Sequence, residues 1–252
     1  MAWDPEQYAR YADQRGRPFF ELTDRIAAQD PAYLVDLGCG DGALTEALAR
    51  RWPGISGVGM DSSAQMLAKA PASDRLSFVV GDIETWQPDR AVDVLVSNAA
   101  LQWVPGHPDL LARFVSWLAP GGWFAFQVPG NYDTAGFEVL RTQVRSPRWA
   151  GRVPDIPETR VLAPAHYLER LSALGCVVDA WETTYLHVLS GPDPVLEWKR
   201  GTALRPVLAA LSIVEAEEFC AEYGAALRAA YPERGYGTLF PFRRIFVVAH
   251  QP

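Results

Sequence analysis

Cysteine is scarce in this sequence, and the cysteines it has are far apart. The three are Cys39, Cys176 and Cys220, with no CxxC pair and no His/Cys cluster at metal-ligand spacing. A disulfide framework or a structural zinc site needs paired or clustered thiols. The sequence therefore indicates neither a disulfide-stabilised protein nor a metal protein.

Basic runs and long apolar runs are missing as well. No run of five or more basic residues occurs, and a formal net charge of −7 would repel a nucleic-acid phosphate backbone. No apolar stretch approaches the roughly 18 residues of a membrane span, and the first residues lack the pattern of a signal peptide. We therefore expect a soluble, cytoplasmic protein that binds neither nucleic acid nor membrane.

The overall composition is that of an ordinary globular protein rich in aromatic residues. Of 252 residues, 49% are hydrophobic and 21% are charged, with nine Trp, nine Tyr and eleven Phe to line a core and a pocket. An α/β fold reaches this length around one core. We therefore expect a single domain, residues 1–252, that carries insertions.

Short apolar runs alternate with helical patterns between Tyr33 and Val128. This alternation is typical of parallel strands joined by crossover helices, and so of an α/β fold. The predicted strands are Tyr33–Leu37, Ile55–Met60, Leu76–Val80, Val92–Ser97 and Trp123–Val128, then Val177–Leu186 and Arg243–Ala249. Residues 31–130 should form the binding core, and residues 176–189 and 243–250 the C-terminal strands.

The remaining segments are expected to cover a ligand pocket. Glu6–Arg15 and Phe19–Ala28 predict two helices separated at Pro18, because proline is best tolerated in a first helical turn. They would form an N-terminal lid, residues 1–30, closed by Tyr8, Tyr11 and Arg17, although an amphipathic helix face accounts for these residues equally well. Residues 131–175 and 190–240 should be insertions that cover the substrate.

A glycine-rich turn, Asp36-Leu37-Gly38-Cys39-Gly40-Asp41-Gly42, follows the first predicted strand. Glycine lets the backbone pass close to a ligand because it has no Cβ. The pattern also satisfies the relaxed dinucleotide fingerprint, with Asp61 near its ribose position, so an NAD-dependent dehydrogenase is an alternative. Asp36 favours S-adenosylmethionine, since an acid here suits a cationic methionine group and would repel a pyrophosphate.

A second discriminating feature is Asp82-Ile83, after the third predicted strand. The carboxylate can accept a hydrogen bond from an adenine amino group while Ile83 packs against the ring, and a dinucleotide enzyme does not require this pair. Structural roles compete at each position. Asp82 could be a turn residue, Asp61 a helix cap and Met66 a core residue.

Four motifs in order resemble those of the class I S-adenosylmethionine-dependent methyltransferases: Asp36-Leu37-Gly38-Cys39-Gly40, Asp61-Ser62-Ser63-x-x-Met66, Asp82-Ile83 and Leu118-Ala-Pro-Gly-Gly122. The resemblance implies a Rossmann-like, seven-stranded, mostly parallel sheet with an antiparallel final strand and helical insertions covering the pocket. It also implies that Gly38 and Gly40 approach the methionine part, Asp61 the ribose, and Met66 the adenosine, with Asp82 and Ile83 holding the adenine. The expected cofactor residues are Asp36, Gly38, Gly40, Asp61, Ser62, Met66, Asp82, Ile83 and Asn98.

Over nearly the whole chain, the sequence resembles a narrower family that methylates one carboxylate of trans-aconitate or a similar tricarboxylic acid. The matching pieces are Trp3-x-Pro5 with Tyr8, Arg15-x-Arg17-Pro18, Ser97-Asn98-Ala99-x-Leu101-Gln102-Trp103, Thr183-Thr184-Tyr185-x-His187, Leu204-Arg205-Pro206 and Arg244-x-Phe246-x-Val248-Ala249. The resemblance implies a small anionic substrate, with a monomethyl ester and S-adenosylhomocysteine as products.

A carboxylate substrate needs cations but no general base. It is already deprotonated at neutral pH and attacks the methyl group once aligned, so we expect no catalytic base, only alignment by Asn98, Gln102 and Trp103. Arginine binds carboxylates through paired hydrogen bonds. Arg243 and Arg244 point to opposite faces of a regular strand, and the family match selects Arg244.

The other substrate-binding candidates follow from their places on strands. Tyr185 and His187 are two residues apart and share one strand face, where both could donate to a carboxylate. Asn98, Gln102 and Trp103 follow the carboxyl end of the fourth strand, where open α/β sheets bind ligands. The expected substrate-binding residues are Gln102, Trp103, Asn131, Tyr185, His187, Arg205 and Arg244. Surface salt bridges, loop hydrogen bonds and core packing are the competing roles.

Two further functions stay open at this point. A methyltransferase acting on another small acid or on a hydroxylated metabolite would need a base for a neutral hydroxyl, and His187 or His107 would serve. A non-catalytic S-adenosylmethionine-binding module would bind the cofactor without turnover.

Overall fold

The computed structural model describes residues 12–157 and 161–252. The strands in these ranges are β1 Tyr33–Leu37, β2 Ser56–Asp61, β3 Leu76–Val80, β4 Val92–Asn98, β5 Leu118–Pro129, β6 Val177–Leu189, β7 Glu233–Arg234 and β8 Gly237–His250. The helices are α1 Ala12–Thr23, α2 Ala43–Ala49, α3 Ala64–Leu67, α4 His107–Ser116, α5 Ala135–Val144, α6 Pro164–Ser172, α7 Pro194–Arg200, α8 Arg205–Ala209 and α9 Ile213–Ala230, with a 3-10 helix at Leu101–Trp103. None of these helices is long and apolar enough to cross a membrane.

The strands form a sheet in the order β3-β2-β1-β4-β5-β8-β6, and the two-residue β7 pairs with β8. Strand β1 pairs in parallel with β2 and β4, β2 with β3, and β4 with β5. Strand β8 runs antiparallel to β5. The predicted mostly parallel α/β sheet with an antiparallel final strand is confirmed, and each of its seven predicted strands is present.

Burial along the strands follows their place in the sheet. All five residues of the central β1 are buried, as expected for a parallel strand covered on both faces. The outermost strand, β6, instead alternates at its end, with Tyr185 and His187 buried and Leu186 and Val188 exposed. One face of β6 therefore meets water.

The chain divides into two compact units. Among the described residues, the core unit contains chiefly 13–129, 161–183 and 244–252, and the accessory unit 130–157 and 184–243. The accessory unit has a hydrophobic core of its own, which includes Trp149, Trp198 and Phe219. The division at residue 130 coincides with the predicted end of the binding core, and the expectation of a single domain stays a prediction.

Helix α1 corrects one prediction. A break was predicted at Gly16-Arg17-Pro18, yet the helix runs through this segment and contains Pro18. An interior proline costs about 3 kcal/mol, but full burial of one large apolar side chain contributes about 1.5–3 kcal/mol, and Phe19 and Leu22 are both fully buried. The burial of these two side chains therefore offsets the free-energy cost of the interior proline. Residues 6–11 of the predicted lid, with Tyr8 and Tyr11, lie outside the described residues.

Candidate active site

The strand order places the glycine-rich turn where the winding of the sheet reverses. From β1 the chain proceeds to β2 and β3 on one side, and β4 and β5 lie on the other. Open parallel sheets bind ligands at the carboxyl ends of the strands beside such a switch point. Asp61 ends β2 and Asn98 ends β4, so these predicted cofactor residues lie at the expected edge.

The turn after β1 depends on its glycines. Gly38, Gly40 and Gly42 have φ of +79°, +61° and +73°, values that side chains with a Cβ rarely adopt. The Gly38 N–H donates to the Met60 carbonyl over 2.7 Å. A Cβ on Gly38 would lie 2.3 Å from the Cβ of Ala100. The turns that follow β1 and β4 are therefore in direct contact, and only glycine fits between them.

Asp61 connects the turn that follows β1 with the turn that follows β2. Its Oδ2 accepts from the Gly40 N–H over 2.9 Å and its Oδ1 from the Ser63 N–H over 2.8 Å. The N-cap of α3 is Ser63, so Asp61 is not the helix cap that competed with its ligand role. A Cβ on Gly40 would lie 3.5 Å from the Met66 Cε, which brings Met66, half-buried, to the same turn. Ser62 is exposed.

The Asp82-Ile83 pair lies beyond β3. Asp82 is exposed, and its Oδ1 accepts from the Glu84 N–H over 2.8 Å, which is a turn contact. Ile83 is half-buried, and its Cδ1 lies 3.9 Å from the position of a Cβ on Gly38. The structure thus brings Ile83 to the glycine turn.

Asp36 lies beneath the turn as a buried carboxyl group. Its Oδ2 accepts from the Thr45 hydroxyl over 2.5 Å, and no described residue hydrogen-bonds its Oδ1. Burial raises the pKa of Asp36 to about 7; the Thr45 hydrogen bond opposes this rise and the charge of Asp61 adds to it. A carboxyl group with this pKa is partly protonated at neutral pH.

A hydrogen-bonded chain connects two predicted residues through one that was not predicted. The Arg244 Nη1 donates to the Gln127 Oε1 over 3.0 Å, and the Gln127 Nε2 donates to the Asn98 Oδ1 over 2.5 Å. Gln127 is fully buried in β5 and Arg244 is buried in β8. Gln127 therefore links an expected substrate residue to an expected cofactor residue. An amide inside an apolar strand is a signal that could have identified it, since a buried amide needs partners.

The segment after β4 contains Gln102 and Trp103. Ala99 adopts a φ of +53°, and the Gln102 Nε2 donates back to its carbonyl oxygen over 2.5 Å. Gln102 is buried, and its Oε1 has no hydrogen-bond partner among the described residues. Trp103 is 47% exposed, so it is not the simple core residue that competed with a ligand role.

The other predicted substrate residues belong to the accessory unit. The rings of Tyr185 and His187 are buried and stacked, 6.1 Å apart and inclined by 10°, so their predicted shared face is confirmed. The Asn131 Oδ1 accepts from the Arg243 N–H over 2.7 Å, and its Nδ2 donates to the Arg243 carbonyl over 2.9 Å. Asn131 thus holds a backbone segment, and Arg205 is exposed at the first residue of α8.

Arg243 and Arg244 contact different groups, as strand alternation predicts. The Arg243 Nε donates to the Gly130 carbonyl over 2.7 Å, and its Nη2 lies 3.3 Å from an Asp133 carboxylate oxygen. Arg244 instead contacts Gln127. No group of three His, Cys, Asp or Glu among the described residues could hold a metal ion.

This sheet order, with the site at its switch point, defines the fold of the class I methyltransferases. Solved structures agree at the level of the fold. A phosphoethanolamine N-methyltransferase from Haemonchus contortus matches with a TM-score of 0.56 at 16% identity, over 94% of this chain and 53% of that one. The YcgJ protein from Bacillus subtilis matches with a TM-score of 0.59 at 14% identity, over 93% and 98%.

Sequence comparison places the chain more narrowly. A family model described as a methyltransferase domain matches residues 9–176. The trans-aconitate 2-methyltransferase of Streptomyces avermitilis is 51% identical over 99% of this chain and 97% of its own length, and that of Mycolicibacterium gilvum is 51% identical over 98% of both. The chain belongs to the trans-aconitate 2-methyltransferase family.

Proposed function

We propose that this protein transfers the methyl group of S-adenosylmethionine to a carboxylate of trans-aconitate, giving a monomethyl ester and S-adenosylhomocysteine. The observation that carries the proposal is the similarity to relatives named for this activity, 51% identical over 99% of the chain. Because the match extends through both units, it covers the parts of the chain outside the sheet. This coverage matters because function depends on the residues of a site rather than on the fold.

The carboxyl edge of the sheet suits the methyl donor. The glycine turn presents backbone with no Cβ in the way, and two backbone N–H groups orient the Asp61 carboxylate while leaving lone pairs for ribose hydroxyls. The proposed cofactor residues are Asp36, Gly38, Gly40, Asp61, Ser62, Met66, Asp82, Ile83 and Asn98. Neither Asp82-Ile83 nor the acid before the turn is required by a dinucleotide, so the dehydrogenase alternative is less well supported.

The proposed reaction needs alignment and charge but no proton transfer. A carboxylate oxygen of the substrate forms a bond to the methyl carbon as the carbon–sulfur bond breaks, and the electron pair of that bond remains on sulfur. Asn98, Gln102 and Trp103 are proposed to align the acceptor. Tyr185, His187, Asn131, Arg205 and Arg244 are proposed to bind the substrate, the two arginines by charge-assisted hydrogen bonds to its carboxylates. A cytoplasmic location stays a prediction.

The test is methyl transfer from labelled S-adenosylmethionine to a panel of di- and tricarboxylic acids and hydroxylated metabolites. We expect label in an alkali-labile ester of trans-aconitate, and NMR of that product identifies the esterified carboxylate. Cofactor binding without label in any acid would overturn the proposal and favour a non-catalytic binding module. Label in a hydroxylated metabolite alone would favour the alternative substrate class.

The substrate arginines can be tested in the same assay. Arg205→Ala and Arg244→Ala should raise KM for trans-aconitate far more than KM for S-adenosylmethionine, because each removes a cation that is proposed to bind the acceptor directly. Arg90→Ala, which removes an exposed arginine of the core unit, is the control and should change neither KM. Unchanged kinetics in both test variants would contradict the assignment.

A further inference from the structure

Three polar side chains meet on one face of the sheet, and all three belong to the core unit. Gln127 of β5 pairs in register with Asn98 of β4 and with Phe246 of β8. Arg244 precedes Phe246 by two residues, so both side chains lie on the same face of β8, and a long side chain reaches such a diagonal neighbour. The strand register therefore brings Asn98, Gln127 and Arg244 together.

Arg244 determines the orientation of the two amides beside it. A guanidinium group contains only donors, so Gln127 must turn its amide oxygen toward Arg244, and the Arg244 Nη1 donates to the Gln127 Oε1 over 3.0 Å. The Gln127 Nε2 is left to face Asn98, and it donates to the Asn98 Oδ1 over 2.5 Å. The Asn98 Nδ2 is therefore on the side away from Gln127.

Gln127 cannot easily adopt another arrangement. Its side chain is fully buried, and burial of an amide is costly unless its polar groups are paired. Reversal of the amide would place its NH2 group against the guanidinium of Arg244, where two donors cannot pair. The chemistry of the three groups therefore fixes the orientation.

The Asn98 Nδ2 is an unused donor at the end of this chain of hydrogen bonds. Asn98 is half-buried and is the last residue of β4, at the edge where open parallel sheets bind ligands. No hydrogen bond joins its Nδ2 to another described residue. The Ala99 N–H donates to the Gln127 carbonyl over 3.0 Å, so Gln127 holds the backbone after Asn98 as well as its side chain.

We propose that Gln127 is a positioning residue that presents the Asn98 Nδ2 to a carboxylate oxygen of a bound ligand. This inference rests on the proposed function, in which the acceptor and the methionine end of the cofactor both carry a carboxylate. A carboxylate only accepts hydrogen bonds, so it needs the NH2 group of Asn98 and would be repelled by the amide oxygen. A glutamine that only fills the space between strands is the competing interpretation.

Asparagine NMR separates the two interpretations, because Asn98 and Asn131 are the only asparagines of the sequence. Full-length protein labelled with nitrogen-15 in the asparagine side chains gives one pair of amide signals for each, and Asn98→Asp assigns them. S-adenosylhomocysteine is added first and trans-aconitate second. The step at which the Asn98 signals move identifies the ligand that supplies the carboxylate. Asn98 signals that neither ligand moves overturn the inference.

Gln127→Glu tests the orientation itself. The substitution preserves the shape of the side chain, and the guanidinium of Arg244 keeps the introduced carboxylate ionised. This carboxylate cannot donate, so the Asn98 amide must reverse and donate to it from Nδ2. The Asn98 signals should then shift without any ligand and lose their response to the ligand that moves them in the wild type. Asn98 signals identical to those of the wild type overturn the inference.

Kinetics test the consequence for methyl transfer. Gln127→Leu removes both polar atoms with little change in volume, and should lower kcat/KM for trans-aconitate about 10- to 100-fold because alignment in the site is lost. Gln251→Leu is the matched control, since Gln251 is half-buried beside Gly121, at the opposite end of β5, and it should leave kcat/KM unchanged. Equal kcat/KM in Gln127→Leu and the control contradicts a positioning role.

Failure of this inference is distinguishable from failure of the proposed function. If the wild-type protein methylated none of the acids, the proposed function would be overturned, while the Asn98 signals of ligand-free Gln127→Glu would still decide the orientation. If the wild type methylated trans-aconitate and Gln127→Leu did so equally well, the inference alone would be overturned. If Gln127→Glu did not fold, the titration of the wild-type protein would decide.

Discussion

Asp61 holds the turns after β1 and β2 in one arrangement through two backbone hydrogen bonds. We predict that Asp61→Ala weakens S-adenosylhomocysteine binding about 10- to 100-fold, because a hydrogen bond to a charged group contributes about 1.5–3 kcal/mol. Titration calorimetry measures this change. Asp41→Ala removes an exposed carboxylate from the same turn and should bind normally; equal losses in both variants would show that net charge alone matters.

Asp36 gives the protein a pH-dependent stability. The folded protein holds this proton up to about pH 7, whereas the unfolded chain loses it near pH 3.8, so the free energy of unfolding falls as pH rises between these values. Between pH 5 and pH 8, the ionisation of Asp36 should lower the free energy of unfolding by about 3 kcal/mol. Urea unfolding at pH 5 and pH 8 should show this fall in the wild-type protein but not in Asp36→Asn. Parallel behaviour of variant and wild type would rule out Asp36 as the cause.

Some residue placements could be predicted from the sequence and others could not. Strand alternation alone puts Tyr185 with His187 and separates Arg243 from Arg244, because the side-chain period of a strand is two. Gln127 depends on partners far away in the chain, Arg244 and Asn98. No local pattern encodes those partners.

At the scale of the elements, β-strands were predictable and one helix was not. Apolar runs bounded by turn residues identified each strand of the parallel sheet, and in the central β1 burial on both faces accounts for the local signal. The continuity of α1 through Pro18 depends instead on the burial of Phe19 and Leu22. That burial is a tertiary property, which overrides local propensity.

Helices α4 and α6 are joined by a buried polar pair. The His107 Nδ1 lies 3.0 Å from the Val104 carbonyl, which can only accept, so Nδ1 carries the proton. The Nε2 then accepts from the Tyr167 hydroxyl over 2.7 Å, and that hydroxyl accepts from the Leu162 N–H over 3.2 Å. One hydroxyl therefore satisfies two buried groups.

We predict that Tyr167→Phe lowers the free energy of unfolding by about 1–3 kcal/mol, the cost of unpaired buried polar groups. Urea unfolding checks it, with Tyr236→Phe, at an exposed tyrosine, as the control. Burial lowers the pKa of His107 below its ordinary value of 6.5, so the free energy of unfolding should fall as pH drops below 6.5, while the contact itself is lost only at the lower pKa of the folded state. A variant as stable as the control would contradict the role of the pair.

Across the whole molecule, all of the proposed cofactor residues belong to the core unit. S-adenosylhomocysteine at 100 times its Kd should raise the free energy of unfolding by about 2.7 kcal/mol, because it binds only the folded state. NAD at the same concentration should leave thermal unfolding unchanged. Stabilisation by NAD alone would restore the dehydrogenase interpretation of the glycine turn.

The division into two units is the part of the architecture that the sequence predicted least. Alternating strands and helices indicate the core unit as far as residue 129. Beyond it, the accessory unit folds around Trp149, Trp198 and Phe219, which are far apart in the chain. Such a core is set by packing between helices, and helical periodicity does not show which faces will meet.

Cys39, the cysteine inside the glycine turn, can report how often this part of the protein opens. Cys39 is buried between β1 and α2, and burial, followed by the charges of Asp36 and Asp61, raises the pKa of its thiol well above the usual range. Alkylating reagents attack an accessible thiolate, so Cys39 reacts only while the turn is open. Its alkylation rate therefore measures the frequency of this opening, and a ligand bound at the turn should lower the alkylation rate.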